Sequence, residues 1–289
     1  MTRRILLPGA GTGAGNNLIR SLRDDYPGLV VVGVHDDRFT LRNSKANRNY
    51  LVPRAGDARF IDAVRTIIER ERVDLLVPNT AHDVAVVSEL RDVLPCRTFL
   101  PSKSVIERCQ DDQDLQGFLR AHGVPAATTT KLPGRDFACQ SLWKDGRPVL
   151  IKTVERLAYL AGEAGAGGAV ESLAKTVNEP CAVAVCIEAI LALDPNATGA
   201  FSVDLKEGRV GVPCVTRVHA GRFTTMLNFF DLTGRHNMSS TYVRLALDEP
   251  VLIGELYDVA EDRYFVRGID TLPAIFRGDQ LAEGIEEVA

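Results

Sequence analysis

The 289-residue chain has no run of about 18 or more apolar residues, so no membrane-spanning helix is expected. It also has no run of five or more basic residues. Its 34 basic and 38 acidic residues leave a net charge of -4. That balance argues against the basic footprint of a nucleic-acid-binding domain. The opening MTRRILLPGAG is too short in its apolar part for a signal peptide, and a glycine-rich turn follows at once. The six cysteines (Cys96, Cys109, Cys139, Cys181, Cys186, Cys214) form no CxxC pair. Buried thiols in a reducing cytoplasm are therefore expected rather than a zinc or disulfide framework. No Ser/His/Asp or Cys/His grouping, no dyad for hydride transfer and no internal repeat is visible. The chain is expected to be cytoplasmic, with neither nucleic acid nor membrane as partner.

Apolar residues make up 45% and charged residues 25%, ordinary for a globular protein, and the length allows two domains. Up to Pro125, strands and helices alternate. RILLPG, LVVVGVH and VDLLVP read as buried strands, and Asn17–Asp25, Phe60–Arg70, Val84–Leu94 and Asp112–His122 as helices. Such alternation predicts a parallel sheet with right-handed crossovers. After Pro125 the pattern changes. Phe137–Trp143 and Pro148–Val154 flank a Lys144-Asp145-Gly146 turn and predict a hairpin. The small-residue stretch Ala161–Ala169 reads as a mobile loop, Cys181–Leu193 as a helix buried on most sides, and a helix is expected near Phe229. Tyr264–Ile269 closes the pattern as a strand with a turn at Gly268-Ile269-Asp270.

The segment GAFSVDLKEGRVGVPCVTRVHAGRF, Gly199–Phe223, carries the most chemistry. It reads as two alternating strands around a turn. Asp204 lies on the first, and Arg217 and His219 share one face of the second. An antiparallel pair of this kind can present metal ligands over a phosphate. Asp204 and His219 are the candidate metal ligands, although magnesium favours carboxylates and Arg217 would repel a cation. Lys152 and Arg156, beside the 161–169 loop, are candidate phosphate contacts or charges on a solvated edge. The first loop holds Gly9, Gly11, Gly13 and Gly15, and Gly9-x-Gly11-x-x-Ala14, with Asp36 at the end of the second strand, fits a relaxed dinucleotide fingerprint. The same glycines would equally let a strand-to-helix turn close tightly.

Several segments together resemble one family. GAGTGAGNNLIRSLR, SKANRNYLVP, LPCRTFLPSKSVIERCQ and FLRAHGVP are similar to the domain that precedes the ATP-grasp lobes in the carbamoyl-phosphate-synthase-like branch of the ATP-grasp proteins. LPGRDFACQSLWKDG resembles the strand after the first lobe, GAFSVDLKEG with CVTRVHAGRF the metal-binding strands, and RGID the closing segment. The resemblance implies an α/β protein with a Rossmann-like parallel-sheet domain at 1–125 and a truncated ATP-grasp domain at 126–289. It implies ATP and Mg²⁺ as cofactors. It also implies carboxylate and amine substrates joined through an acyl phosphate, the metal and cations clamping the transferred group.

The chain departs from that pattern in four places. Only Ala126–Lys131 separates HGVP from LPGRD, where the family places a whole lobe. Asp112 stands where a nucleotide-contacting lysine is expected. Arg217 replaces a metal-binding glutamate, and His219 the asparagine beside it. Asp204 alone matches a ligand position. The expectation is an ATP-dependent ligase by resemblance, weak or inactive, with Lys152, Arg156 and Arg222 on the nucleotide or substrate. Two other readings stay open: a non-catalytic, homo-oligomeric binding module, and an NAD binder using the Gly9–Gly15 loop.

Overall fold

The computed structural model describes residues 2–128, 132–160, 170–224, 226–268 and 274–280. The chain opens with β1 (Arg4–Pro8), α1 (Gly13–Asp25), β2 (Val30–His35), the short α2 (Arg38–Arg42) and β3 (Arg48–Leu51). It continues with α3 (Phe60–Glu71), β4 (Leu75–Leu76), α4 (Ala81–Leu90) and β5 (Arg97–Thr98), then α5 (Lys103–Arg108) and α6 (Asp112–Ala121). The five strands form a parallel sheet in the order β3-β2-β1-β4-β5. Strand and helix alternation in the sequence therefore gives the parallel sheet it predicts. The short β3 and β5 escape that reading, because neither carries a buried apolar run.

The glycine-rich turn after β1 has a local cause. Thr12 caps α1, accepting from the Gly15 amide at 3.1 Å. Gly11 has φ +92°, and a Cβ there would lie 2.0 Å from the Thr40 carbonyl of α2. Contact with α2 thus requires glycine at this position, with no dinucleotide needed to account for it.

The second half begins with β6 (Asp136–Lys144), β7 (Arg147–Leu160) and β8 (Val170–Thr176), followed by α7 (Pro180–Leu193). Then come β9 (Gly199–Glu207), β10 (Pro213–Ala220), α8 (Leu227–Thr233), α9 (Met238–Ala246), β11 (Arg263–Val266) and β12 (Ala274–Arg277). The seven strands form an antiparallel sheet, β10-β9-β6-β7-β8-β11-β12. The small-residue stretch 161–169 and the turn residues Ile269 and Asp270 lie outside the described residues.

Both faces of this sheet are covered. Phe137, Cys139, Ile151 and Val203 pack with Ala182, Cys186 and Ile190 of α7. On the opposite face Ala138 and Val154 meet Phe230 of α8, and Leu142 and Leu150 meet Met238 and Tyr242 of α9. The Ala127 amide donates to the Val215 carbonyl at 2.8 Å, and β6 starts at Asp136. Among the described residues no helix is long and apolar enough to cross a membrane.

Candidate functional site

Strand register gathers the charged residues on one face of the antiparallel sheet. Asp136 stands directly opposite Arg156, and Asp204 stands opposite Ala138, two residues along β6 from Asp136. Side chains alternate with period two, so Asp136, Arg156 and Asp204 share a face. Arg156 is the hub, with a side chain only 8% exposed. Its Nη2 donates to Asp204 Oδ1 at 2.6 Å and its Nη1 to Asp136 Oδ1 at 3.3 Å. Its Nε lies 3.1 Å from Glu171 Oε1, an ion pair not aligned as a hydrogen bond. Tyr159 Oη donates to the other oxygen of Asp136 at 2.9 Å. Burial alone would lower the Arg156 pKa, but the charges of Asp204, Glu171 and Asp136 outweigh it and raise it. Burial likewise pushes the Asp204 carboxyl up. Arg156 and the His219 hydrogen bond overcome this and hold it well below the usual carboxylate range.

From Asp204 the contacts run to His219 and Arg222. Arg222 Nη2 lies 2.8 Å from His219 Nδ1. A guanidinium offers donors only, so Nδ1 accepts. The hydrogen of the imidazole therefore sits on Nε2, which donates to Asp204 Oδ2 at 3.1 Å. Both ring nitrogens of His219 are used in this arrangement. Among the described residues Arg222 makes this one hydrogen bond and no ion pair, and burial lowers its pKa.

Arg217 turns the other way. Its Nη2 donates to Asp112 Oδ2 at 2.7 Å, and its Nε to the two Asp112 oxygens at 3.1 and 3.2 Å. Two departures from the family pattern, Asp112 and Arg217, are thus partners, 105 residues apart in sequence. Arg217, His219 and Arg222 line a cleft of about 280 Å³ between β10 and the ends of α4, α5 and α6.

A divalent cation does not fit this donor set. The two Asp204 oxygens are taken by Arg156 and His219, and three arginines surround them. Among the described residues no group of three or more His, Cys, Asp or Glu side chains is placed to hold a metal. Expected as metal ligands, Asp204 and His219 are instead bonded to each other. Expected as a phosphate contact, Arg156 is ion-paired with three carboxylates instead.

Lys152, the other expected phosphate contact, is fully buried. Its Nζ donates to the Phe230 and His236 carbonyls, both at 2.6 Å, and lies 3.7 Å from Asp258 Oδ2. It anchors α8 and the α8–α9 connection to the sheet, away from the cleft. Of the five expected site residues, Arg156, Asp204, His219 and Arg222 form one chain of contacts and Lys152 stands outside it.

Sequence reasoning missed Asp136 and Glu171. Asp136 sits where β6 starts, with Ala138 and Gln140 alternating behind it, and that spacing was the available signal. Nothing comparable marked Glu171. Asp231 of α8 was missed as well. Its carboxylate accepts from the Met238 amide at 2.5 Å, from Ser239 Oγ at 2.7 Å, and from Ser21 Oγ of α1, tying the two halves together.

Burial lifts the Asp231 carboxyl from its ordinary 3.8 to about 6. The folded state therefore holds this proton more tightly than the unfolded state. The resulting stabilisation is complete below pH 3.8 and is lost as pH rises through 6. Asp231→Asn, which cannot ionise, is expected to gain stability relative to the parent protein as pH rises from 4.5 to 7. Urea unfolding at both pH values measures this. Parallel pH profiles for the two proteins would refute it.

No family model matches this sequence, and no curated protein matches it. Solved structures do resemble the fold. The L-amino acid ligase from Bacillus licheniformis superposes with a TM-score of 0.70 at 12% identity, over 91% of this chain and 78% of that one. Phosphoribosylglycinamide synthetase from Anaerococcus prevotii gives 0.67 at 12% identity, over 91% and 79%. Carboxyaminoimidazole ribonucleotide synthase from Aspergillus clavatus, complexed with ATP, gives 0.65 at 12% identity, over 92% and 82%. With these likenesses spanning nine-tenths of its length, the chain has the fold of the ATP-grasp ligases.

Proposed function

We propose that this protein binds an oxyanion in the cleft at Arg217, His219 and Arg222 without a metal, and that it is a weak or inactive member of the ATP-grasp ligases. The occupant is the phosphate end of a nucleotide such as ATP or ADP, or a small carboxylate. One observation carries the reading: Arg222 is a largely desolvated guanidinium that faces a cleft, and among the described residues its one hydrogen bond is to the His219 ring, with the Asp204 charge acting only from farther off. Such a group gains most from a bidentate carboxylate or phosphate. The cleft, about 280 Å³, accommodates a phosphate group or small acid more readily than a whole nucleotide. We read the parallel sheet as the Rossmann-like half and the antiparallel sheet as the truncated ATP-grasp half.

Loss of ligation follows from the same residues. Phosphoryl transfer relies on positive charge placed where negative charge develops. Among the described residues at the cleft, Arg222 is the cation left to a ligand, because Asp112 holds Arg217 and three carboxylates hold Arg156. His219, hydrogen-bonded at both nitrogens, has no lone pair left to act as a base.

Thermal melts with pyrophosphate, ADP and ATP in EDTA test the binding. The parent protein is expected to be stabilised, and Arg222→Leu to lose affinity by roughly 10–100-fold, the worth of a charged hydrogen bond. Equal affinity in Arg222→Leu, or no stabilisation of the parent by any of these ligands, would overturn the reading. Turnover of ATP with Mg²⁺ and a carboxylate would overturn the inactivity.

A further inference from the structure

The cleft at Arg222 joins positive charge to an apolar wall. Ala81, Val84, Ile106, Val218 and Ala220 line it together with Arg217 and Arg222. Val84 and Ile106 are 2% and 4% exposed, so this wall is part of the core and is fixed in place. A Cβ added to Gly221 would lie 3.0 Å from Val84 Cγ1, which brings the wall to within one residue of Arg222. Among the described residues the one carboxylate lining the cleft is Asp112, and it accepts from Arg217 Nη2 at 2.7 Å. The Arg217 and Asp112 side chains remain 40% and 37% exposed, and a pair so open to water is weakly held. Asp111, not Asp112, caps α6, so the helix end does not depend on the Asp112 carboxylate.

We propose that Asp112 sets the charge this cleft accepts: by holding Arg217 back from the ligand, it selects a singly charged carboxylate with a short aliphatic body over phosphate groups. Two arginines and one aspartate leave the cleft one positive charge to spare, on Arg222. A carboxylate meets that charge in one bidentate contact, and its chain covers the apolar wall. A phosphate or pyrophosphate brings more charge and more acceptor oxygens, and apolar side chains cannot replace the water these lose. To gain a second guanidinium it must displace Asp112, and the displaced carboxylate stays nearby as a like charge. Specificity of this kind comes from the repulsive group as much as from the attractive one. Asp112 and Arg217, two departures from the family pattern, then have one joint effect.

This deepens the oxyanion reading above, on which it rests, by naming the class of the occupant. Calorimetric titrations in EDTA with acetate, hexanoate and pyrophosphate test it on the parent chain, Asp112→Asn, the double variant Asp112→Asn/Arg217→Met, and Asp114→Asn. Asp114 lies in the same first turn of α6 but pairs with Arg108 outside the cleft, so it controls for loss of charge alone. The parent is expected to bind hexanoate roughly tenfold or more tighter than acetate, and tighter than pyrophosphate. Asp112→Asn is expected to raise pyrophosphate affinity by roughly tenfold or more, the worth of a charged hydrogen bond, and hexanoate affinity far less. The double variant should lose that gain, and Asp114→Asn should show none. Pyrophosphate bound by the parent more tightly than hexanoate would overturn the proposal and leave the oxyanion reading standing. Pyrophosphate affinity unchanged in Asp112→Asn, a gain equal for both ligands, or the same gain in Asp114→Asn would do likewise. Binding of neither ligand by the parent would overturn both.

Discussion

Arg156→Ala is expected to be among the most destabilising single changes in this protein, costing about 3–5 kcal/mol. The magnitude comes from what stays behind. Asp136, Glu171 and Asp204 are all largely buried and lose their shared counter-ion at once. Removing one member of a buried ion pair leaves an uncompensated charge, and here one removal leaves three. Arg156→Lys is expected to recover only part of the loss. A single ammonium cannot reach oxygens on β6, β8 and β9 as a planar fork does. Urea unfolding at pH 7 measures both variants. Acid should narrow the gap. The Asp204 carboxyl lies well below its ordinary value in the parent, so its stabilisation is present above pH 3.8 and lost as pH falls through the folded value. A loss under about 1 kcal/mol for Arg156→Ala, in the range of an exposed pair, would mean the cluster is solvated.

The second large effect is expected at Lys152. Lys152→Met keeps the length of the side chain and removes the ammonium. The carbonyls of Phe230 and His236 then lose their donor inside the protein, and Asp258 loses its nearby charge. Asp258 keeps the Arg235 and His236 amides, at 2.8 and 2.7 Å, so the site is not wholly stripped. A cost of about 3 kcal/mol is expected, between an unsatisfied buried group and a broken buried pair. Burial already lowers the Lys152 pKa, against the pull of Asp231 and Asp258. Because Lys152 lies away from the cleft, Lys152→Met should leave pyrophosphate affinity unchanged. Reduced affinity in a folded Lys152→Met protein would place this residue back at the ligand.

Much of the fold was legible in the sequence. Alternating buried strands and amphipathic helices specified the parallel sheet. The paired runs at Phe137–Val154 and Gly199–Phe223 specified the hairpins of the second half. The site was legible as residue types and illegible as partners. Arg156, Asp204, His219 and Arg222 could be picked out, but what each touches depends on register, and a slip of one residue turns a strand's side chains to the other face. The Asp112–Arg217 pair shows the same limit: each residue was noticed alone as a departure, and only folding brings α6 against β10. Lys152 misled because lysine is rarely buried. The period-two pattern nevertheless set it between Leu150 and Val154, both fully buried, and that alternation was the available sign.

Whether the cleft works without a metal is tested most directly by calorimetric titration of the parent protein with ATP, once in EDTA and once in Mg²⁺. The arginine-lined cleft implies binding in EDTA that is as tight as in Mg²⁺ or tighter, because a bound metal would neutralise the charge that Arg222 recognises. Binding that appears only when Mg²⁺ is present would contradict it.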